Sequence, residues 1–77
     1  MATVRFFAGA RAAAGTSAEA VDAGSVKELL DVLGEREALA RILPACTYLV
    51  DGLACHEPST PLTGLSTVDI LPPFAGG

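Results

Sequence analysis

Positive charge is scarce in this sequence. Five basic residues, Arg5, Arg11, Lys27, Arg36 and Arg41, stand against nine acidic ones, for a net charge of −4. They are scattered and form no stripe. A nucleic-acid binder needs a clustered positive footprint, so that class is excluded. The balance points instead to a partner with a basic docking face. Histidine is nearly absent. His56 is the one copy. It follows Cys55, and adjacent strand residues point to opposite faces, so the two do not read as base and nucleophile. Asp69 and Glu57 read as ordinary surface charge. Cysteine occurs twice, at Cys46 and Cys55, at a spacing that fits no zinc or redox motif. No metal site is expected. No GxxxxGK[ST] phosphate loop is present, and no bound cofactor is expected. There are no internal repeats. No apolar run approaches the ~20 residues that span a bilayer, so no membrane contact is expected. The opening "MATVRFFAGARAAAG" lacks a basic segment ahead of an apolar one, and Arg5 and Arg11 interrupt it. It does not read as a signal peptide, and a cytoplasmic, unprocessed chain is expected.

Hydrophobic residues are abundant, at 51% of the 77 positions. The length allows one domain, residues 1–77, with 72–77 as a flexible functional tail. A chain this short buries only about 60–65% of its unfolded surface, so every apolar residue counts. "TVRFFA" (3–8) alternates as a strand, with Val4, Phe6 and Ala8 inward and Thr3, Arg5 and Phe7 outward. "ARAAAGT" reads as a loop or short helical turn. "SAEAVDA" (17–23) is a weaker strand, able to pair with the first as a hairpin. The clearest element is a helix. Ser25 precedes Glu28 by three residues, which is a capping box. Val26, Leu29, Leu30 and Leu33 then form one apolar stripe. Gly34 is placed to end the helix in a left-handed conformation. "EREALARIL" (35–43) repeats the helical pattern more briefly, closed by Pro44.

"CTYLVDGLAC" (46–55) reads as a β-hairpin around Asp51-Gly52, because both central positions need positive φ. The implied pairs are Val50 with Leu53, Leu49 with Ala54, and Tyr48 with Cys55. Cys46, Tyr48, Val50, Leu53 and Cys55 then share the core face. Cys46 and Cys55 become diagonal neighbours, about 7–8 Å apart, too far for a disulfide, so two buried free thiols are expected. "HEPSTPLTGLS" is a loop. "TVDIL" (67–71) is a strand with Val68 and Ile70 inward and Thr67, Asp69 and Leu71 outward; Pro72 and Pro73 end it. The order is α+β, a mixed sheet with one main helix on one face. The uncovered face carries Phe7, Leu49, Ala54 and Leu71, a group apolar enough to suggest docking.

The end of the chain, "LPPFAGG", contributes little to a core. From Pro72 to Gly77 it can reach about 20 Å. Pro72-Pro73 stiffens its root, and Phe74 offers an anchor. Gly76-Gly77 has no Cβ, so it can enter a channel too narrow for other residues and present its carboxylate. That carboxylate is a poor electrophile until a partner converts it into a better one.

Three segments, "VRFFAGARAAAGT", "YLVDG" and "PLTGLSTVDILPPFAGG", together resemble the MoaD/ThiS family of ubiquitin-like sulfur carriers, and within it the small subunits of molybdopterin synthase. The resemblance spans essentially the whole chain. It implies a ubiquitin-like β-grasp fold. It also implies that an adenylating enzyme of the ubiquitin-activating, MoeB-like type uses ATP on the Gly77 carboxylate, with Gly76 beside it. A sulfur donor then displaces the nucleotide to leave a thiocarboxylate. In these small subunits the tail inserts into a MoaE-like large subunit and donates sulfur for molybdopterin, on the route to the molybdenum cofactor. The small subunit is the sulfur donor and brings no catalytic side chains of its own. By the same resemblance, Phe7, Arg11 and Leu71 lie at the partner interface, beside Leu49, Ala54 and Phe74 from the reading above. The sequence departs from the family at "TGLST" (63–67), where an acidic Asp-Gly-Asp-Glu turn is common. A carrier for another sulfur product (thiamin thiazole or cysteine), a modifier joined to lysines, and a non-covalent module with an inert tail all stay open at this point.

Overall fold

A computed structural model of the chain describes residues 1–73. They run through β1 (Ala2–Phe6), α1 (Gly9–Ala14), β2 (Ala18–Val21), α2 (Val26–Leu33), α3 (Glu37–Ile42), β3 (Thr47–Val50), β4 (Leu53–Cys55) and β5 (Thr67–Leu71). One 3-10 turn, Leu43–Ala45, leads into β3. The strands form a single sheet in the order β2-β1-β5-β3-β4. β1 and β5 are parallel, and the other pairs antiparallel. This is the expected β-grasp arrangement, with the last strand in the middle of the sheet.

Alternation in β1 buries Ala2, Val4 and Phe6 and exposes Thr3 and Arg5. With Val68 and Ile70 of β5 they meet Val26, Leu29 and Leu33 of α2 and Leu39 of α3 in one core. The expected inward place of Ala8 is not observed. Ala8 is exposed with φ 49°, because the chain turns there to start α1. Its ψ is −124°, outside the left-handed helical region, a conformation that any Cβ disfavours. Gly15, at φ 78°, closes α1 by donating its N–H to the Arg11 carbonyl.

The N-terminus of α2 is capped as its sequence indicates. Ser25 Oγ accepts from the Glu28 N–H at 3.2 Å. The return arm differs: Glu28 accepts from the Gly24 N–H, one residue earlier than in a standard box. The loop that precedes β5 supplies two more acceptors, with Val26 N–H donating to Thr60 O and Lys27 N–H to Pro58 O. Three of the orphan donors of the first turn are therefore satisfied. Ser25→Ala is expected to lower stability by about 1 kcal/mol, read as a lower urea midpoint at unchanged slope.

Gly34 corrects a second expectation. Its φ is −69°, right-handed rather than left-handed. The chain does not reverse there but continues in a right-handed turn toward α3, with Arg36 N–H donating to Leu33 O. Glycine serves space instead, since a Cβ would lie 3.1 Å from the Leu30 carbonyl oxygen. Pro44 closes the second helical segment as expected: α3 ends at Ile42, and Pro44 stands in the first positions of the 3-10 turn that follows, where its missing N–H is no loss.

The hairpin has the register read from sequence: Val50 opposite Leu53, Leu49 opposite Ala54, and Tyr48 opposite Cys55. Asp51 and Gly52 have φ of 50° and 83°. Asp51 also ties the turn to β5, with its Oδ1 accepting from the Thr67 N–H. Leu53, expected on the core face, is 75% exposed. β4 is an edge strand, paired with β3 on one side only. Among the described residues, no helix is long and apolar enough to cross a membrane.

Candidate functional site

The helices cover one face of the sheet. Strand alternation sends Thr3, Arg5, Ala18, Ala20, Thr47 and Ala54 to the other face, and all six are exposed. No helix among the described residues covers that face. Its residues are ordered by register. One row crosses the whole sheet, Ala18–Arg5–Asp69–Leu49–Ala54. Beside it Leu71 lies opposite Thr47. Phe7 follows β1 and stays tied to β5 by donating its N–H to the Ile70 carbonyl at 3.2 Å. Phe7, Leu49 and Leu71 are half-buried, and Ala54 is exposed. Arg11 stands exposed on α1. Four of the sites read from sequence, Phe7, Leu49, Ala54 and Leu71, thus share one face.

Asp69 is where the reading from sequence fell short. It points to the open face as expected, yet it is only 6% exposed. Arg5 explains this. Its Nε donates to Asp69 Oδ1 at 2.6 Å and its Nη2 to Oδ2 at 2.8 Å. The guanidinium also lies 5.9 Å from the centre of the Phe7 ring, within cation–π range. The hydrogen bonds to Asp69, and then its charge, hold the Arg5 pKa above its usual value. A signal for this pair was available: opposite charges at the same strand parity in β1 and β5. It becomes legible only once those strands are known to be parallel neighbours.

The thiols sit on the helix side. Cys46 and Cys55 are both free, and half-buried rather than fully buried. They line a cavity of about 280 Å³ between α2 and the β3–β4 hairpin, with Val26, Leu30 and Tyr48. Cys46 Sγ donates to the Ile42 carbonyl at 3.2 Å, and burial pushes its pKa up. That favours an inert thiol over a nucleophile. Cys55 Sγ contacts Thr60 Oγ1 at 3.3 Å and the Glu57 carbonyl at 3.5 Å. Tyr48 donates its hydroxyl to the Leu43 carbonyl. Among the described residues no group of three or more His, Cys, Asp or Glu side chains could hold a metal.

The tail leaves the middle of the sheet. β5 ends at Leu71, Pro72 is half-buried, and Pro73 is exposed. Phe74, Gly76 and Gly77, the remaining sites read from sequence, lie outside the described residues.

The ThiS family model matches residues 4–77. No curated protein matches the sequence. Several solved structures do. One is in the complex of subunits 1 and 2 of molybdopterin-converting factor from Helicobacter pylori 26695, with 29% identity and a TM-score of 0.81, covering 99% of this chain and 97% of that one. The crystal structure of SAMP1 from Haloferax volcanii has 23% identity and a TM-score of 0.82, covering 99% and 98%. The solution structure of the small archaeal modifier protein 1 from Methanosarcina acetivorans has 24% identity and a TM-score of 0.83, covering 99% and 95%. At these identities the last two speak for the fold alone.

Proposed function

The chain belongs to the ThiS family of ubiquitin-like sulfur carriers, and on that premise we propose that it is the small subunit of a cytoplasmic molybdopterin synthase. The observation that carries this is the nearly full-length likeness to a chain in the molybdopterin-converting factor complex. A MoaE-like large subunit is then the partner for the open sheet face, through Phe7, Leu49, Ala54 and Leu71, with Arg11 and the tail residue Phe74 as further contacts. Apolar side chains grouped on a face without helix cover are what such an interface needs.

In the proposed cycle the Gly77 carboxylate attacks the α-phosphorus of ATP within a MoeB-like activating enzyme. Pyrophosphate leaves, and a mixed anhydride remains. A sulfide equivalent from the sulfur donor attacks the carbonyl carbon, AMP leaves, and the thiocarboxylate results. In the synthase its sulfur passes to the pterin precursor, and water restores the carboxylate. The chain itself positions the tail and supplies the docking face.

Calorimetric titration with the large subunit tests the assignment. Wild type should bind, and Phe7→Asp should weaken binding by about thirtyfold or more, because it sets a charge into a desolvated contact. Unchanged affinity would refute the role of this face. The cysteines have no part in the cycle. Cys46→Ala with Cys55→Ala should lose packing energy yet still accept sulfur at Gly77. A folded double variant that forms no thiocarboxylate would make one thiol a relay.

A further inference from the structure

The open face is not uniformly apolar. In the middle of its central row stand two ionised side chains, Arg5 and Asp69, directly paired across β1 and β5. Their exposures are unequal: the Arg5 side chain is 53% exposed and that of Asp69 is 9%. Asp69 is closed in by Arg5 on one side and by Leu49, its register partner on β3, on the other. Both of its oxygens are engaged by Arg5. The outward component of the pair is therefore the cation.

A guanidinium has five N–H donors in a fixed plane. Asp69 takes one on Nε and one on Nη2. The two on Nη1 and the second on Nη2 remain. Two of these, one on each Nη, are parallel and form the fork that matches a carboxylate bidentately. Phe7 supports the ring-facing side of the same group. Any protein laid over this face strips water from those donors, and unsatisfied buried donors are costly.

The acidic excess of the whole chain does not extend to this surface. On the strands here, the outward residues are Thr3, Arg5, Ala18, Ala20, Thr47, Leu49, Ala54, Thr67, Asp69 and Leu71, and Asp69 is already spent on Arg5. The sequence's net charge suggested a basic partner surface; the local charge asks for an acidic group at this point.

We propose that Arg5, fixed by Asp69 and Phe7, is the specificity element of the docking face, and that the partner subunit brings a carboxylate to its outward Nη1/Nη2 fork. An ion pair of this kind is weak evidence for a role in stability. It discriminates among proteins that could cover the apolar residues: one with a carboxylate at this point gains a bidentate contact, and one without leaves donors unpaired. The inference rests on the synthase assignment above.

The experiment uses the full chain and the large subunit, titrated calorimetrically between low and high salt. Arg5→Leu with Asp69→Leu removes both charges together, which avoids a stranded carboxylate and should leave thermal unfolding near wild type. Binding should weaken about ten- to a hundredfold, and its salt dependence should become shallower. Arg5→Lys keeps the charge without the fork, and should bind more weakly than wild type while retaining salt dependence. A folded double variant that binds as wild type does, with the same salt dependence, overturns this inference and leaves the synthase assignment intact. If wild type fails to bind the large subunit while Phe7→Asp changes nothing, both are overturned.

Discussion

Deleting Gly77 should abolish sulfur transfer while leaving thermal unfolding within about a degree of wild type. The residue lies beyond β5 and contributes no side chain to the core, so stability has no reason to fall. Chemistry has every reason to. In the proposed cycle the reacting carbonyl belongs to Gly77, and deletion moves the carboxylate back by one residue, about 3.3 Å. Misplacement on that scale can cost a hundredfold or more in an oriented site. Gly76→Val should be nearly as damaging for a different reason. An activating site and a transfer site must both exclude water, or the activated carboxyl is hydrolysed. A narrow channel achieves this, and a branched side chain does not thread it. Product formation with the large subunit and charged carrier is the readout, beside binding affinity, which should largely persist because in the proposed complex the sheet face carries the contact.

Phe6→Ala should have the opposite profile. Phe6 is 1% exposed at the centre of the core. Truncation there is expected to cost about 3–5 kcal/mol. A chain of this length holds about 4–12 kcal/mol in all, so the variant should melt on the order of 20 °C lower or fail to fold at all. Its neighbour Phe7 faces the other way, and Phe7→Asp should stay folded while losing the partner. Two consecutive phenylalanines thus separate the core from the proposed docking surface. The comparison is made by thermal unfolding of both variants side by side, and a Phe6→Ala protein as stable as wild type would contradict the core described here.

What was legible in the sequence follows from how local the deciding interaction is. Asp51-Gly52 sets the hairpin register because both residues must take positive φ, and three cross-strand pairs follow from that. Ser25 and Glu28 mark the start of α2 because the cap bond spans three residues. Gly34 misled because glycine has two uses, positive φ and close approach, and the second depends on where the chain goes next. Ala8 misled because strand alternation does not say where a strand must stop to begin a helix. The Arg5–Asp69 pair spans 64 residues, and no local pattern brings its ends together. The open face was legible in part, since Phe7, Leu49, Ala54 and Leu71 follow from alternation alone. Its charged centre was not. The tail is the reverse case, read from composition and family resemblance, with Phe74 to Gly77 beyond the described residues.

The central claim is that Gly77 carries sulfur, and intact mass spectrometry tests it most directly. The full chain is incubated with ATP, the activating enzyme and a sulfur source, and its mass is compared before and after. Replacement of one carboxylate oxygen by sulfur at the terminus should add ~16 Da, and the gain should vanish when ATP is omitted or Gly77 deleted. A wild-type mass that never shifts under these conditions, or an equal shift in the Gly77 deletion, would contradict the account.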